Sequence, residues 1–203
     1  MTVPEHENRS LLKHTVVSSP RLRVFLPMPL GERLKGLAWW MMRYFLFRPS
    51  FALGNKWRCT LLRIFGAKIG KDVVIDPSVK IDFPWNLHIG TQSIIARGVI
   101  LNCMGLIDIG SQVRISQYAH LCAGTHLYER EDMRIKRSGI KVGDQSWLAT
   151  DTFVGPGVNI GSSVILAARS SAFSDLPSDY ICLGEPARAF KKRSKKTDPK
   201  SHS

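Results

Sequence analysis

Aliphatic side chains open successive six-residue segments through the middle of the chain, and a small residue, Gly, Asp or Asn follows most of them. From residue 69 the openers are Ile69, Ile75 and Ile81, then Ile89, Ile95 and Leu101, then Ile109, Ile115 and Leu121. They fall in threes. After an interruption the count resumes at Val142, Leu148, Val154, Ile160 and Leu166. A period of six is the signature of a parallel β-helix, in which each opener points into a triangular prism and its small neighbour lets the chain turn the corner. Three such segments make one coil, and coils stack at roughly 4.8 Å, pairing backbone groups between them. A β-sandwich would show two-residue alternation and Asn-Gly or Asp-Gly hairpin turns, and those dipeptides are absent. The pattern therefore predicts an all-β solenoid over residues 67–187, preceded by a small helical segment.

That segment spans residues 30–66, after an N-terminal tail of residues 1–29. Leu30, Leu34, Leu37, Ala38, Met41 and Phe45 recur at helical spacing, predicting a helix to Phe47 that Arg48-Pro49 ends. The run Gly36 to Phe47 is nearly all apolar, yet it is too short to span a bilayer and Arg43 interrupts it. Two compatible readings stand. In one, the apolar face caps the open first coil. In the other, Trp39, Trp40, Tyr44 and Phe47, with Arg33, Lys35, Arg43 and Arg48, make a peripheral contact with an anionic membrane. A second helix, Lys56 to Phe65, is expected to bury Trp57, Leu61, Leu62 and Phe65.

At 203 residues, with 44% hydrophobic and 22% charged side chains, the chain is in the range of one globular domain with tails. A net charge of +13 favours polyanions, phosphorylated cofactors or anionic lipid. No zinc-finger, helix-turn-helix or aromatic RNA-reading motif accompanies it, so nucleic acid is not expected. Lys191, Lys192, Arg193, Lys195 and Lys196 fall in a predicted basic tail, residues 188–203, whose ordinary reading is a solvated end. Cys59, Cys103, Cys122 and Cys182 have neither metal-ligand spacing nor a disulfide framework, and residues 1–20 lack a secretory pattern, so a cytoplasmic location is expected.

The segment ISQYAHLCAGTH, the interruption after it, and VGDQSWLATDTFVGPGVNIGSSVILAARS followed by LGEPAR resemble the hexapeptide-repeat O-acetyltransferases, within them the colanic-acid and exopolysaccharide biosynthesis type. The segment Phe47-Arg48-Pro49-Ser50 resembles the end of that type's leader. The resemblance implies a left-handed parallel β-helix, a homotrimer with sites between subunits, and acetyl transfer from acetyl-CoA to a hydroxyl of a saccharide, with no metal.

It further implies that His126, just before a loop leaving the solenoid, is the general base. A neutral imidazole can take a hydroxyl proton and return it to the CoA thiolate. His120 is the competing candidate, and His6, His14, His88 and His202 lie outside this constellation. The loop, residues 127–139, is expected to protrude, with Tyr128, Glu129 and Arg130 as acceptor-side candidates or solvated residues. An Asp usual in the family stands as Tyr128 here, so the orienting partner of His126 is left open. Asn102 is either an acceptor contact or a corner residue.

For the cofactor, Trp147 matches a tryptophan beside the active-site tunnel or plugs a corner. Ala149-Thr150 and Ala167-Ala168 match small residues lining the pantetheine channel, and Arg188 and Lys191 match cations that meet the CoA phosphates. Ser174 stands where the family often has lysine, with Arg169 as a substitute cation. The alternatives are an acetyltransferase for a free sugar, serine or nucleotide sugar, a noncatalytic β-helix scaffold, and a histidine-bound metal protein of the γ-carbonic-anhydrase kind.

Overall fold

The computed structural model describes residues 29–50 and 54–194. Three parallel sheets form the walls of a left-handed β-helix. The first contains β1 (Lys68–Ile69), β4 (Leu87–Ile89), β7 (Ile107–Ile109), β12 (Ile140–Val142) and β15 (Asn159–Ile160). The second contains β2 (Val74–Ile75), β5 (Ile94–Ile95), β8 (Arg114–Ile115), β13 (Trp147–Leu148) and β16 (Ile165–Leu166). The third contains β3 (Lys80–Asp82), β6 (Ile100–Asn102), β9 (His120–Cys122), β14 (Phe153–Val154) and β17 (Ser171–Ala172). The chain visits the sheets in turn, so each triplet of strands is one coil. Every opener from Ile69 to Leu166 is buried, which confirms the six-residue count.

Five of the six glycines that follow openers mark one corner, Gly155 standing apart after Val154 of the third sheet. Gly70, Gly90, Gly110, Gly143 and Gly161 all follow strands of the first sheet. A Cβ added at any of them would lie 2.5–2.9 Å from backbone of the following coil, too close for any side chain. Beyond them Gln92, Gln112 and Gln145 turn with positive φ of 57–58°. Their amides bond from coil to coil, Gln112 to Gln92 at 3.1 Å and Gln145 to Gln112 at 3.2 Å.

The helical segment closes the N-terminal end. Alternate backbone groups of the first coil bond to the second, as Gly70 N does to Ile89 O at 2.8 Å, and the remainder, including the carbonyls of Ile69, Val73, Ile75 and Ile81, face the open edge. Side chains fill it. From α2 (Asn55–Ile64), Arg63 Nη2 donates to Ile69 O at 2.9 Å, Asn55 Nδ2 to Val73 O at 2.8 Å and Arg58 Nε to Ile75 O at 2.8 Å. From α1 (Leu30–Met42), Trp39 Nε1 donates to Ile81 O at 2.8 Å. Arg43, which opens a π-helical turn running to Phe47, pairs with Asp82 at 2.9 Å.

Capping is thus what the segment does, with Leu61, Leu62 and Phe65 packed on the core as expected and other residues in unexpected places. α2 buries Arg58, Cys59, Leu61 and Leu62, whereas Trp57 is 44% exposed. On α1 the buried residue is Trp39, packed on Phe47 and Phe65 at 5.9 and 5.1 Å, and the predicted face of Leu30, Leu34, Leu37, Met41 and Phe45 points to solvent. The indole and Arg43 are drawn inward because they carry the donors that the edge lacks.

The other end also departs from expectation. β18 (Tyr180–Gly184) joins the second sheet and β19 (Ala187–Lys192) folds back on it antiparallel, so residues 188–192 are sheet and not tail. Arg193 Nη1 then bonds Gln145 O at 3.0 Å and Ser163 O at 3.1 Å. Lys195, Lys196 and the N-terminal tail lie outside the described residues, as do His6, His14 and His202.

Candidate active site

The interruption leaves the solenoid after Ala123 as a two-stranded hairpin. β10 (Gly124–His126) pairs with β11 (Ile135–Arg137), with Gly124 opposite Arg137 and His126 opposite Ile135. The expected loop is therefore ordered as a strand pair, begins at Gly124 and carries His126 at its outer end. Arg137 Nη2 meets Glu32 of α1 at 3.0 Å, tying the hairpin root to the helix. At the tip Asp132 pairs with Arg130 and Arg134, and the Arg130 bond followed by that of Arg134 holds its carboxyl below the usual range.

His126 is exposed, and its Nδ1 lies 2.6 Å from Met133 O. A carbonyl oxygen can only accept, so Nδ1 must carry the hydrogen and Nε2 is left with its lone pair. Met133 O is thus the hydrogen-bond partner of the ring, where the sequence offered no acidic side chain. Met133 has φ 46°, a left-handed conformation uncommon for its side chain, which aims its carbonyl back across the hairpin.

His120 is built differently. It stands on the outer face of the third sheet between Ile100 and Phe153, its ring edge-on to Phe153 at 5.5 Å. Desolvation, only partly opposed by Asp82, lowers its pKa. Its Nε2 and the Oδ1 of Asn102, two residues along the adjacent strand, are buried without a protein partner. Asn102 thus holds an acceptor oxygen beside the root of the hairpin. Tyr128 and Glu129 follow His126 on the exposed arm, Tyr128 79% exposed. His88 belongs to the first sheet, 3.8 Å from Asp108.

The predicted cofactor residues gather elsewhere, on the second sheet and its corner with the third. Across the second sheet one outward row runs Arg114, Trp147, Ile165, Ile181, Lys191. The row continues beyond Arg114 through Ile94 to Val74, so it is largely apolar, with Arg114 inside it and Lys191 at its end. Trp147 is held by a bond from its Nε1 to Ser116 Oγ at 2.9 Å. Ala149 is buried, Ala167 half-buried and Ala168 exposed, on successive coils of the corner, and Thr150 bonds Gln117 at 3.3 Å. Arg188 reaches Ser174 Oγ at 3.2 Å, so the serine in the usual lysine position engages the neighbouring cation, while Arg169 pairs with Asp151 at 3.4 Å. Arg114, Ile165 and Ile181 were not anticipated. Their signal is the position just before each buried residue, where an aliphatic side chain faces outward.

One chain does not bring the two groups together. His126 leaves at the corner after the third sheet, whereas Trp147, Ala149 and Ala167 flank the corner before it. A groove of about 570 Å³ on the first sheet, lined by Lys68, His88 and Asp108 among others, contains none of these residues. Among the described residues no three His, Cys, Asp or Glu side chains converge as a metal site.

A solenoid with a histidine-bearing hairpin and an outward, largely apolar row across its second sheet defines an acyltransferase of the β-helix class. No family model matches the chain. A protein of Escherichia coli K12 named for colanic acid biosynthesis acetyltransferase activity, WcaF, is 43% identical over 163 residues, covering 80% of this chain and 90% of that protein. Two solved structures share the fold. A maltose O-acetyltransferase of Clostridium difficile 630 has TM-score 0.73 and 23% identity, over 80% of this chain and 88% of that one. A hexapeptide-repeat acetyltransferase of Vibrio cholerae, solved with acetyl coenzyme A, has TM-score 0.73 and 22% identity, over 82% and 91%. The chain belongs to the hexapeptide-repeat acetyltransferases, in the group of the colanic acid biosynthesis acetyltransferases.

Proposed function

We propose that the protein moves acetyl from acetyl-CoA to a hydroxyl of a saccharide in exopolysaccharide or cell-surface polysaccharide synthesis. It does so in the cytoplasm, peripheral to an anionic membrane, as a homotrimer. The observation that carries the reading is the tautomer of His126, whose Nδ1 is committed to Met133 O and whose Nε2 is free to act as base. The acceptor hydroxyl oxygen attacks the thioester carbonyl as Nε2 takes its proton. The new C–O bond forms, the C–S bond breaks, and the imidazolium returns the proton to the departing thiolate. Asn102 Oδ1 would accept from a sugar hydroxyl, and Tyr128 and Glu129 would flank the sugar from the hairpin.

The row from Trp147 to Lys191 suits the cofactor: apolar surface for the pantetheine arm, small residues Ala149, Thr150, Ala167 and Ala168 beside it, and Arg188 and Lys191 for the phosphates. Because His126 and this row lie on separate faces, a trimer in which one subunit's hairpin meets the next subunit's row completes the site. Purified protein with acetyl-CoA and a panel of oligosaccharides, free sugars, serine and nucleotide sugars tests the reading. CoA release with O-acetylation of an oligosaccharide is expected. Acetylation confined to a small free acceptor would replace the saccharide class, and failure to bind acetyl-CoA would overturn the reading.

A further inference from the structure

We infer that the outward face of α1 docks on an anionic phospholipid bilayer and holds the His126 hairpin beside it, so that the acceptor saccharide is one carried on a lipid. The docking rests on the helix alone, and its consequence for the acceptor rests on the acetyltransferase reading.

α1 and the π-helical turn after it set Trp39, with Glu32 and Arg43, toward the solenoid and an apolar face away from it. At about 100° per residue, Trp39 and Arg43 centre the face turned to the solenoid, while Leu30, Leu34, Leu37, Met41 and Phe45 lie within an arc of about 80° on the other side. Trp40 and Tyr44, whose rings stack at 6.4 Å, widen that arc to about 140°, with Arg33 between them in projection. All seven outward side chains are 50–72% exposed. Scattered exposed apolar residues are ordinary, whereas a continuous stripe of this kind marks an interaction surface.

The charges select the occupant. Residues 30–48 contain four cations, Arg33, Lys35, Arg43 and Arg48, and one carboxylate, Glu32. Glu32 is turned to Arg137 and Arg43 to Asp82, so the charges left exposed beside the stripe include the cations Lys35 and Arg48 and no carboxylate of this segment. Face-to-face contact with a second copy would bring those cations together. An anionic bilayer answers both features, with apolar side chains in the acyl boundary, Trp40 and Tyr44 at the headgroups, and the cations on lipid phosphates. No helix among the described residues is long and apolar enough to cross a membrane, so the helix would lie flat. Its N-terminal turn carries the Glu32–Arg137 pair, so a bilayer under α1 runs past the root of the hairpin that bears His126.

Flotation of the full-length protein with vesicles of phosphatidylcholine alone, or of phosphatidylcholine with phosphatidylglycerol, tests the docking. Wild type should float with the anionic vesicles at low salt and not with the neutral ones. The double variant Leu37→Glu, Met41→Glu should lose about tenfold or more of that partition at an unchanged sedimentation coefficient and with unchanged transfer to a soluble saccharide. Failure of wild type to float, or undiminished flotation of the variant, would overturn the inference. A change in the variant's oligomeric mass would also overturn it, by assigning the stripe to a subunit contact.

The acceptor half is read by comparing a polyprenyl-diphosphate-linked saccharide in anionic vesicles with the same saccharide free in solution. Wild type should favour the vesicle-borne acceptor and the variant should lose that preference. Equal rates on both acceptors would overturn the acceptor half. Flotation without transfer to any acceptor would overturn that half together with the acetyltransferase reading, and would leave the docking supported.

Discussion

The carbonyl of Met133 receives Nδ1 of His126 across the hairpin at 2.6 Å, and so leaves Nε2 as the ring nitrogen available to the proposed base. Seven residues separate them in sequence, and the bond holds only while β10 and β11 stay paired. His126→Ala should lower turnover by about two to four orders of magnitude while leaving the fold and CoA affinity intact. Single-turnover kinetics and calorimetry on the same preparation check both halves, and a folded variant with near-normal turnover would remove His126 from the chemistry.

This partner was invisible in the sequence because a backbone carbonyl has no signature there. What was legible follows from geometry: with three walls and a period of six, each opener must point inward, so the openers from Ile69 to Leu166 could be read as buried, whereas Leu87, Val99, Ile107 and Val113, buried as deeply, lie outside that count. Helical periodicity misled at α1 for a physical reason. Its apolar face stays outside, because the face turned inward is the one whose indole and guanidinium can bond Ile81 O and Asp82. The same need put Arg58 inside in place of Trp57. Arg188 to Arg193 read as a solvated charge run because their order comes from pairing with β18 and from carbonyls of distant coils, neither of which composition reveals.

Arg188 and Lys191 should act on cofactor affinity and hardly on the chemical step. Replacing both with Gln is expected to weaken acetyl-CoA binding and to flatten its dependence on salt, with the rate at saturating cofactor close to wild type. Calorimetric titrations at two ionic strengths check this. An unchanged dissociation constant would leave these cations without a role at the phosphates.

The open edge of the first coil makes Arg58 a stability residue. Its guanidinium donates to Ile75 O at 2.8 Å and to Ser50 Oγ at 2.9 Å from a buried position, where desolvation lowers its pKa against the opposing pull of Asp76. Arg58→Met keeps most of the volume and strands the carbonyl, so a loss of about 2–4 kcal/mol is expected. Urea unfolding measures it, and a loss under about 1 kcal/mol would mean that water replaces the donor.

Two glycine substitutions should have opposite signs. Gly36 lies within α1 with nothing inside 4 Å of an added Cβ, so Gly36→Ala should stabilise by about 0.5–1 kcal/mol. At Gly90 the same methyl would lie 2.5 Å from the backbone of Gly110, and Gly90→Ala should cost about 3 kcal/mol or fail to fold. Thermal unfolding of the pair checks the corner directly, since any helix or strand propensity argument would favour alanine at both sites.

His120 should make the protein less stable in mild acid without making it less active. Burial of the ring lowers its pKa, with Asp82 opposing, so the unfolded chain binds the proton more readily than the folded one. Unfolding then takes up a proton below the ordinary histidine value of about 6.5, so this contribution to stability is complete above that pH and is lost as pH falls through it. His120→Leu keeps an apolar side chain against Phe153 and removes the titration. Its melting temperature should therefore decline less than that of wild type between about pH 7 and pH 5, and its transfer rate at neutral pH should remain within a few-fold. Parallel pH profiles for the two proteins would show that His120 does not set the acid sensitivity. A loss of turnover in His120→Leu as deep as in His126→Ala would move the base from the hairpin to the third sheet.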